Sequence, residues 1–302
     1  MKLSQLKMFV AVVENGSFSA AAAQLDCTQS RISHAVAGLE RELGVRLLLR
    51  SHDGAALTDA GHRVLDKARQ MLRIEASLLE TARDCGALSA HVRIACFRSV
   101  GTHLLPHALE ALAREYPGIR IDIDDSCEER DEVTQAVHEG RADIGIAHLP
   151  ASADLVARPY VNDAYALVVP ASFRLDAPVA WHQLDALPFI ALACSGAASI
   201  LARCRAAGFS AEPSRIMSND TSIAALVGRG LGYSILPRLA AFPAPDDVRI
   251  VDLPLPARRE FALVARPEAM RSQAMQVVTR FLRDQRILAK TKAFRAGIVS
   301  FD

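Results

Sequence analysis

Residues 28–50 read TQSRISHAVAGLERELGVRLLLR, and this stretch decides how the N-terminal part of the chain folds. Thr28 is a good helix N-cap, because its hydroxyl oxygen can accept a first-turn amide that has no partner inside the helix. After it, Ile32, Val36, Leu39 and Leu43 recur at helical spacing and form one apolar stripe. Gln29, Ser30, Ser33, His34 and Ala37 share the opposite face, which is polar but sparsely charged. Gly44 stops the helix. Residues 45–50 then read as a strand, Asp53-Gly54 as a tight hairpin turn and 55–57 as the return strand.

Upstream, Leu6, Phe9, Val10 and Val13 mark a first helix that runs to Glu14 and is stopped by Asn15-Gly16. Ser17 or Ser19 caps a short second helix through Ala20-Ala21-Ala22-Ala23 to Leu25, and Asp26-Cys27 makes the turn. Three helices followed by a hairpin form a winged helix-turn-helix. In that arrangement the N-terminal residues of the third helix meet base edges in the major groove. Gln29 can then pair bidentately with adenine, while Ser33 and His34 reach base edges or phosphate. Arg50 and His52 flank the hairpin, where they meet backbone phosphate or enter a minor groove.

Charge alone does not announce this role. The net charge of the chain is +1, and residues 1–60 carry six basic residues (Lys2, Lys7, Arg31, Arg41, Arg46, Arg50) against six acidic ones (Glu14, Asp26, Glu40, Glu42, Asp53, Asp59). Attraction to phosphate must therefore come from local arrangement, from helix N-termini and from a dimer that presents two such faces.

The segments FVAVVENGSFSAAAAQL (9–25), TQSRISHAVAGLERELGVRLLLR (28–50) and LTDAG (57–61) resemble the DNA-binding domain of LysR-type transcriptional regulators. The resemblance implies double-stranded DNA as partner, with Gln29, Ser30, Ser33 and His34 reading bases and Ser17, Ser19, Thr28, Arg31 and Arg50 holding the backbone. Two features depart from the family pattern. The family often has proline where Ser30 stands and arginine where His34 stands, and its wing is usually more basic than Ser51-His52-Asp53.

From Thr58 to about Asp84 no proline interrupts the chain, and Leu65, Ala68, Leu72, Leu79 and Ala82 fall on heptad a/d positions. The spacing predicts one long helix of about 40 Å with a seam for a partner helix, ending at Cys85-Gly86. Self-association as a dimer or tetramer is the expectation.

Beyond residue 90, strands and helices alternate: strand 92–96, helix 102–115, strand 119–123, helix 132–139 and strand 143–147. A second cycle has strands 165–169 and 189–192, helices 199–207 and 221–227, and a strand 233–236. A return strand at 261–265 and a last helix to about Leu282 follow. This alternation is that of a parallel α/β sheet. Two cycles with a late return imply two lobes joined by two crossings, near 160–164 and near Ala265. The segments HLLPHALEALAREYPGIRIDI (103–123), EGRADIGIA (139–147) and SIAALVGRGLGYSILP (222–237) resemble the effector domain of the same family, itself like a periplasmic solute-binding protein.

The expected organisation is thus a winged helix-turn-helix at 1–58, a linker and dimerisation helix at 59–87, and an effector-binding domain at 91–302. Its first lobe comprises 91–161 and 267–302, its second 162–266. Ligands of open α/β sheets bind at the carboxyl ends of strands, near helix N-termini. Residues 98–102 occupy such a place, where hydroxyls, amides and the helix dipole favour an anion and Arg98 adds a charge pair. The resemblance points to Ser99 and Thr102 as effector contacts. Ser195, Ser199 and Asn219 are expected across the cleft, with Cys127 and Glu128 on its border; Glu128 and Glu129 suit a cationic group on the ligand.

Other classes find little support. There is no G-x-S-x-G, P-loop or metal-ligand cluster, so neither an enzyme nor a cofactor or metal is expected, although α/β folds do host enzymes and small-molecule-binding proteins. The six cysteines contain no C-x-x-C pair. Cys194 and Cys204 lie in a region where peroxide-sensing members of the family carry a redox pair, which makes a thiol-responsive regulator the alternative. The N-terminus does not resemble a secretory signal, and no stretch approaches the roughly 18 apolar residues of a membrane span, so no membrane partner and a cytoplasmic location are expected.

Overall fold

A computed structural model describes residues 1–51, 54–83 and 88–301, in two compact units, Met1–Ala90 with His138–Ala142, and His91–Val137 with the chain from Asp143 onward. In the first unit, α1 (Leu3–Asn15), α2 (Phe18–Gln24) and α3 (Gln29–Leu43) pack around one core. Leu6, Phe9 and Val12 meet Phe18 and Ala21 of α2 and the predicted Ile32, Val36 and Leu39 stripe of α3. Gly16 ends α1 in the left-handed region (φ 70°), and Asp26 (φ 47°) carries the turn between α2 and α3, a conformation that a short polar side chain tolerates.

Strands β1 (Leu48–Ser51) and β2 (Gly54–Leu57) form the wing, with Leu48 opposite Leu57. β1 starts later than the apolar run suggests. Glu40 accepts the amides of Leu47 and Leu48 at 2.8 and 3.1 Å, so a side chain takes these donors where the ladder begins. The long helix α4 (Asp59–Arg83) begins as expected, with Thr58 accepting the Gly61 amide at 2.9 Å. A Cβ on Gly61 would lie 2.1 Å from the Leu47 carbonyl oxygen, so only glycine lets α4 start against the wing.

The seam of α4 differs from the heptad expectation. Leu65 and Ala68 are spent on the unit's own core, with Leu72 packed against it. Among the described side chains of α4, the large apolar ones left exposed are Met71, Ile74 and Leu78, at 38%, 61% and 67%. The side chains of Leu79 and Ala82, and Cys85-Gly86, lie outside the described residues.

The second unit runs β3 (Ala90–Phe97), α5 (Arg98–His103), α6 (Leu105–Glu115), β4 (Ile119–Cys127), α7 (Arg130–His138), β5 (Ile144–His148) and β6 (Val156–Pro170). After β7 (Phe189–Leu192) come α8 (Ser195–Ala206), β8 (Pro213–Met217), α9 (Asp220–Gly228), β9 (Tyr233–Pro237), β10 (Val248–Asp252) and β11 (Arg258–Ala265). The helices α10 (Gln273–Leu282), α11 (Gln285–Leu288) and α12 (Lys292–Arg295) close the chain.

The strand order is β4-β3-β5-β11-β6-β9-β7-β8, with β10 also on β6. The sheet is mixed rather than purely parallel. β3 is parallel to β5, and β7 to β8 and β9, but β11 runs antiparallel to β5 and β6, and β6 to β9 and β10. The antiparallel members are the strands that cross between the lobes. Residues 156–159 of β6 pair with β11 in the first lobe, and 165–170 pair with β9 and β10 in the second. The polar Asn162-Asp163 pair at the crossing made only the second half of β6 legible as an apolar strand. Because 261–264 of β11 pair with β5, the second crossing falls at 258–260, ahead of the position near Ala265 expected from the sequence.

Candidate nucleic-acid face and ligand cleft

The exposed face of α3 begins at its N-terminus. Gln29, Ser30, Arg31 and His34 are exposed, Ser33 is half-buried, and no acidic residue occupies the first turn. Between Thr28 and Leu39 the only ionisable side chains are Arg31 and His34. Of the six acids in residues 1–60, three are engaged elsewhere: Glu40 on the wing amides, Glu42 on the N-terminal amine and Glu14 with Arg69 at 3.3 Å. With Arg31 and no acid up to Leu39, the face is weakly positive although residues 1–60 balance in charge, and the partial positive charge of the helix end adds to it.

Thr28 and Ser17 act as caps, Thr28 accepting the Arg31 amide at 3.3 Å and Ser17 the Ala20 amide at 3.1 Å. Ser19 is exposed on α2. Arg50 lies on β1, and His52 and Asp53 fall outside the described residues.

In the second unit, a cleft of about 80 Å³ opens between the lobes. At 10–15 Å³ for each water, that is room for a small ligand only. The first lobe contributes Phe97, Arg98, Ser99, Cys127, Glu128, Glu129 and His148; the crossing strands add Tyr165 and Arg259; the second lobe adds Leu192, Cys194, Gly196 and Asp220. Of the sequence-predicted residues, the structure brings Arg98, Ser99, Cys127 and Glu128 together here.

It does not bring Thr102 or Asn219 to this wall. Helix α5 starts at Arg98 rather than Thr102, so Thr102 stands one turn along it and faces solvent. Asn219 caps α9, accepting the Ser222 amide at 2.8 Å. Ser195 and Ser199 line a neighbouring cavity instead, and Ser195 is held by Glu129 of the other lobe, which accepts both its amide, at 2.8 Å, and its hydroxyl.

Two groups of the cleft wall, Arg259 and His148, and the buried Asp163 behind Arg259 were not singled out by sequence. The Asp163 carboxylate is fully buried and pairs with Arg259, whose side chain is 12% exposed. Burial, the largest single influence, opposes the charge on Arg259, but the Asp163 carboxylate together with Tyr165 and Cys194 offsets it and raises the guanidinium above its ordinary range. Arg259 also lies 5.1 and 5.0 Å from the ring centroids of Tyr165 and Phe261. His148 stacks on Phe97 at 5.7 Å, and burial, with Arg259 second, lowers its pKa. The available signal was Asn162-Asp163 and Arg258-Arg259, charged or polar pairs beside apolar strands.

Cys194 and Cys204 stand at the start and near the end of α8, which puts them about 15 Å apart along one helix. A disulfide needs Cα atoms within about 7 Å, so the pair cannot form while α8 is intact. Burial raises both thiols, Cys204 to about 11, which disfavours the reactive thiolate.

A winged helix-turn-helix carried on the same chain as a two-lobed α/β domain with a polar cleft defines a ligand-responsive transcriptional regulator. The family model for the bacterial regulatory helix-turn-helix protein, lysR family, matches residues 3–62, and that for the LysR substrate binding domain matches 86–286. The chain belongs to the LysR family. It is 38% identical to the "Probable HTH-type transcriptional regulator LrrA" of Synechococcus elongatus, over 86% of this chain and 88% of that one. Full-length OxyR from Pseudomonas aeruginosa shares the fold at a TM-score of 0.70 and 22% identity, covering 97% of this chain and 98% of that one. Full-length CbnR complexed with its target DNA does so at 0.66 and 23%, covering 96% and 99%.

Proposed function

We propose that this protein reads an operator through the exposed N-terminal half of α3 and reports a small effector bound between its lobes. The observation that carries the DNA half is the acid-free face of Gln29, Ser30, Ser33 and His34, with Arg31 beside them and the wing following. The division of labour is that expected above: 1–58 for DNA, 59–87 for pairing and 91–302 for sensing. Ser17, Ser19, Thr28 and Arg50 hold the backbone, Ser17 and Thr28 by presenting their capped helix ends. The exposed Met71, Ile74 and Leu78 supply the dimer seam. The effector contacts assigned here are Arg98, Ser99, Cys127 and Glu128. Work on DNA places the protein in the cytoplasm, and no helix among the described residues is long and apolar enough to cross a membrane. No enzymatic activity is assigned.

The test is a gel-shift titration of full-length protein on the DNA upstream of its own gene and on random DNA. Gln29→Ala is expected to cost about 1 to 3 kcal/mol on the cognate fragment per base pair read, with little change on random DNA. Equal losses on both fragments would remove Gln29 from base reading, and no shift by intact dimer at low salt would sink the regulator function itself.

A further inference from the structure

Beside the cleft, on the other side of the Glu129–Ser195 contact, lies a second and larger cavity of about 820 Å³. Its walls differ in charge from those of the first. Arg130, Arg203, Arg258 and Arg259 face it, against Glu260 as the only acidic residue of the lining. Helix α8 runs along one side. Ser195, Ser199 and Arg203 succeed one another every four residues on it, so two hydroxyls and a guanidinium form one stripe facing the cavity from the helix N-terminus onward.

Arg130, Arg203 and Arg259 keep donors to spare, while Arg258 stands 3.9 Å from Glu260. Arg130 bonds Asp131 through Nε at 3.1 Å, Arg203 donates to the Pro256 carbonyl, and Arg259 pairs with Asp163. The Nε of Arg259 is buried without any acceptor, on a side chain close to nine-tenths buried. A guanidinium has five N–H donors in a fixed fork, so these contacts leave most of the set unused.

The chain also shows what chemistry the α8 end attracts. The Glu129 carboxylate reaches across from the first lobe and takes both the amide and the hydroxyl of Ser195. Next to it, Gly196 lets the backbone come close, since a Cβ there would meet the Tyr165 hydroxyl at 2.6 Å and His148 Nε2 at 3.6 Å. An internal carboxylate thus sits where a ligand carboxylate or phosphate would bind.

We propose that this second cavity is a site for a small polyanion, one bearing two or more carboxylate or phosphate groups, and that Glu129 holds its anchor point until the polyanion arrives. Guanidinium forks suit both groups, because each presents paired oxygens to two parallel N–H donors. The volume falls within the range of small-molecule pockets. The walls come from both lobes and from β11, so occupancy joins the lobes at a place distinct from the Arg98–Ser99 wall of the first cleft. The inference rests on the two-lobed sensing domain described above, but not on the effector contacts assigned in the first cleft.

The experiment is isothermal titration of full-length protein with citrate and with inorganic pyrophosphate, at constant ionic strength set with potassium chloride. Wild type is expected to bind at least one of the two at millimolar concentration or below. Arg203→Gln with Arg258→Gln, both exposed positions, should weaken it ten-fold or more. Glu129→Gln, which removes the competing charge, should tighten it several-fold, and Ser99→Ala should leave it unchanged. Absence of binding in wild type, undiminished binding in the double variant, or no gain in Glu129→Gln overturns the proposal. If Ser99→Ala abolishes citrate or pyrophosphate binding, the anion sits in the first cleft; the second site then fails while the effector assignment stands. Circular dichroism and the unfolding midpoint of each variant separate lost binding from lost folding.

Discussion

His148 shows how a single side chain links the sensing unit to pH. Its ring lies flat on Phe97 and edge-on to Phe261, and burial first, then the charge of Arg259, disfavours protonation. In the unfolded chain the imidazole titrates at its ordinary value of about 6.5. A histidine with a lowered folded pKa contributes stability that is complete above that value and is lost as pH falls toward the folded pKa. His148→Phe keeps an aromatic ring in the stack and removes the titration. Its urea midpoint is expected to decline less than that of wild type between about pH 7 and pH 5. His103, also lowered by burial, supplies part of the slope that remains. Parallel curves for the two proteins would show that His148 titrates alike in both states. At this scale the sequence shows which residues carry chemistry but not which of them meet. Ser99 and Glu128 line the cleft, whereas Thr102 stands one turn along a helix that begins four residues before it.

Among the elements, α4 carries the clearest difference between pattern and use. Heptad spacing identified an apolar seam, but an amphipathic helix can spend its stripe on its own unit or on a partner, and the pattern is the same in both cases. Packing decides: Leu65 and Ala68 turn into the core of the first unit, and Met71, Ile74 and Leu78 are left for a partner. Ile74→Glu with Leu78→Glu is expected to dissociate the assembly in sedimentation experiments while the helical circular dichroism signal is retained. An unchanged sedimentation coefficient would place the self-association surface elsewhere. Strands β8 and β10 were not legible at all. Pro213, Ser214 and Arg215 in β8 show no apolar alternation, and edge strands need little, because one side lacks a neighbour to select for it.

For the whole molecule, the C-terminal segment extends past residue 286, where the family model ends, and returns to the lobe crossing. Ser300 exchanges both main-chain hydrogen bonds with Asn162, at 2.8 and 3.0 Å, and Val299 is buried beside it. Phe301 stacks on Phe294 at 4.7 Å. Asn162 is next to Asp163, the buried partner of Arg259. Deleting residues 298–302 removes a buried valine and two hydrogen bonds from the crossing, so a stability loss of about 2 to 4 kcal/mol is expected in urea. Faster amide exchange should be confined first to 160–164. Unaltered exchange in that segment would show that the tail merely rests on the crossing.

The sequence by itself determined the winged helix, the start of the linker helix and the two-cycle α/β alternation. Each rests on local periodicity, a cap or a glycine stop, signals that lie within one turn or a few residues. It also determined that the α3 face is polar and, up to Leu39, free of acids, the property on which DNA reading depends. Only the tertiary structure decided which charges neutralise one another, where the lobes cross, and that Asp163, Arg259 and His148 converge. It also placed Glu129 on the first turn of α8, 66 residues further along the chain. Such contacts depend on the return of distant strands through the sheet, and a side chain's position in sequence carries no record of what that return brings against it.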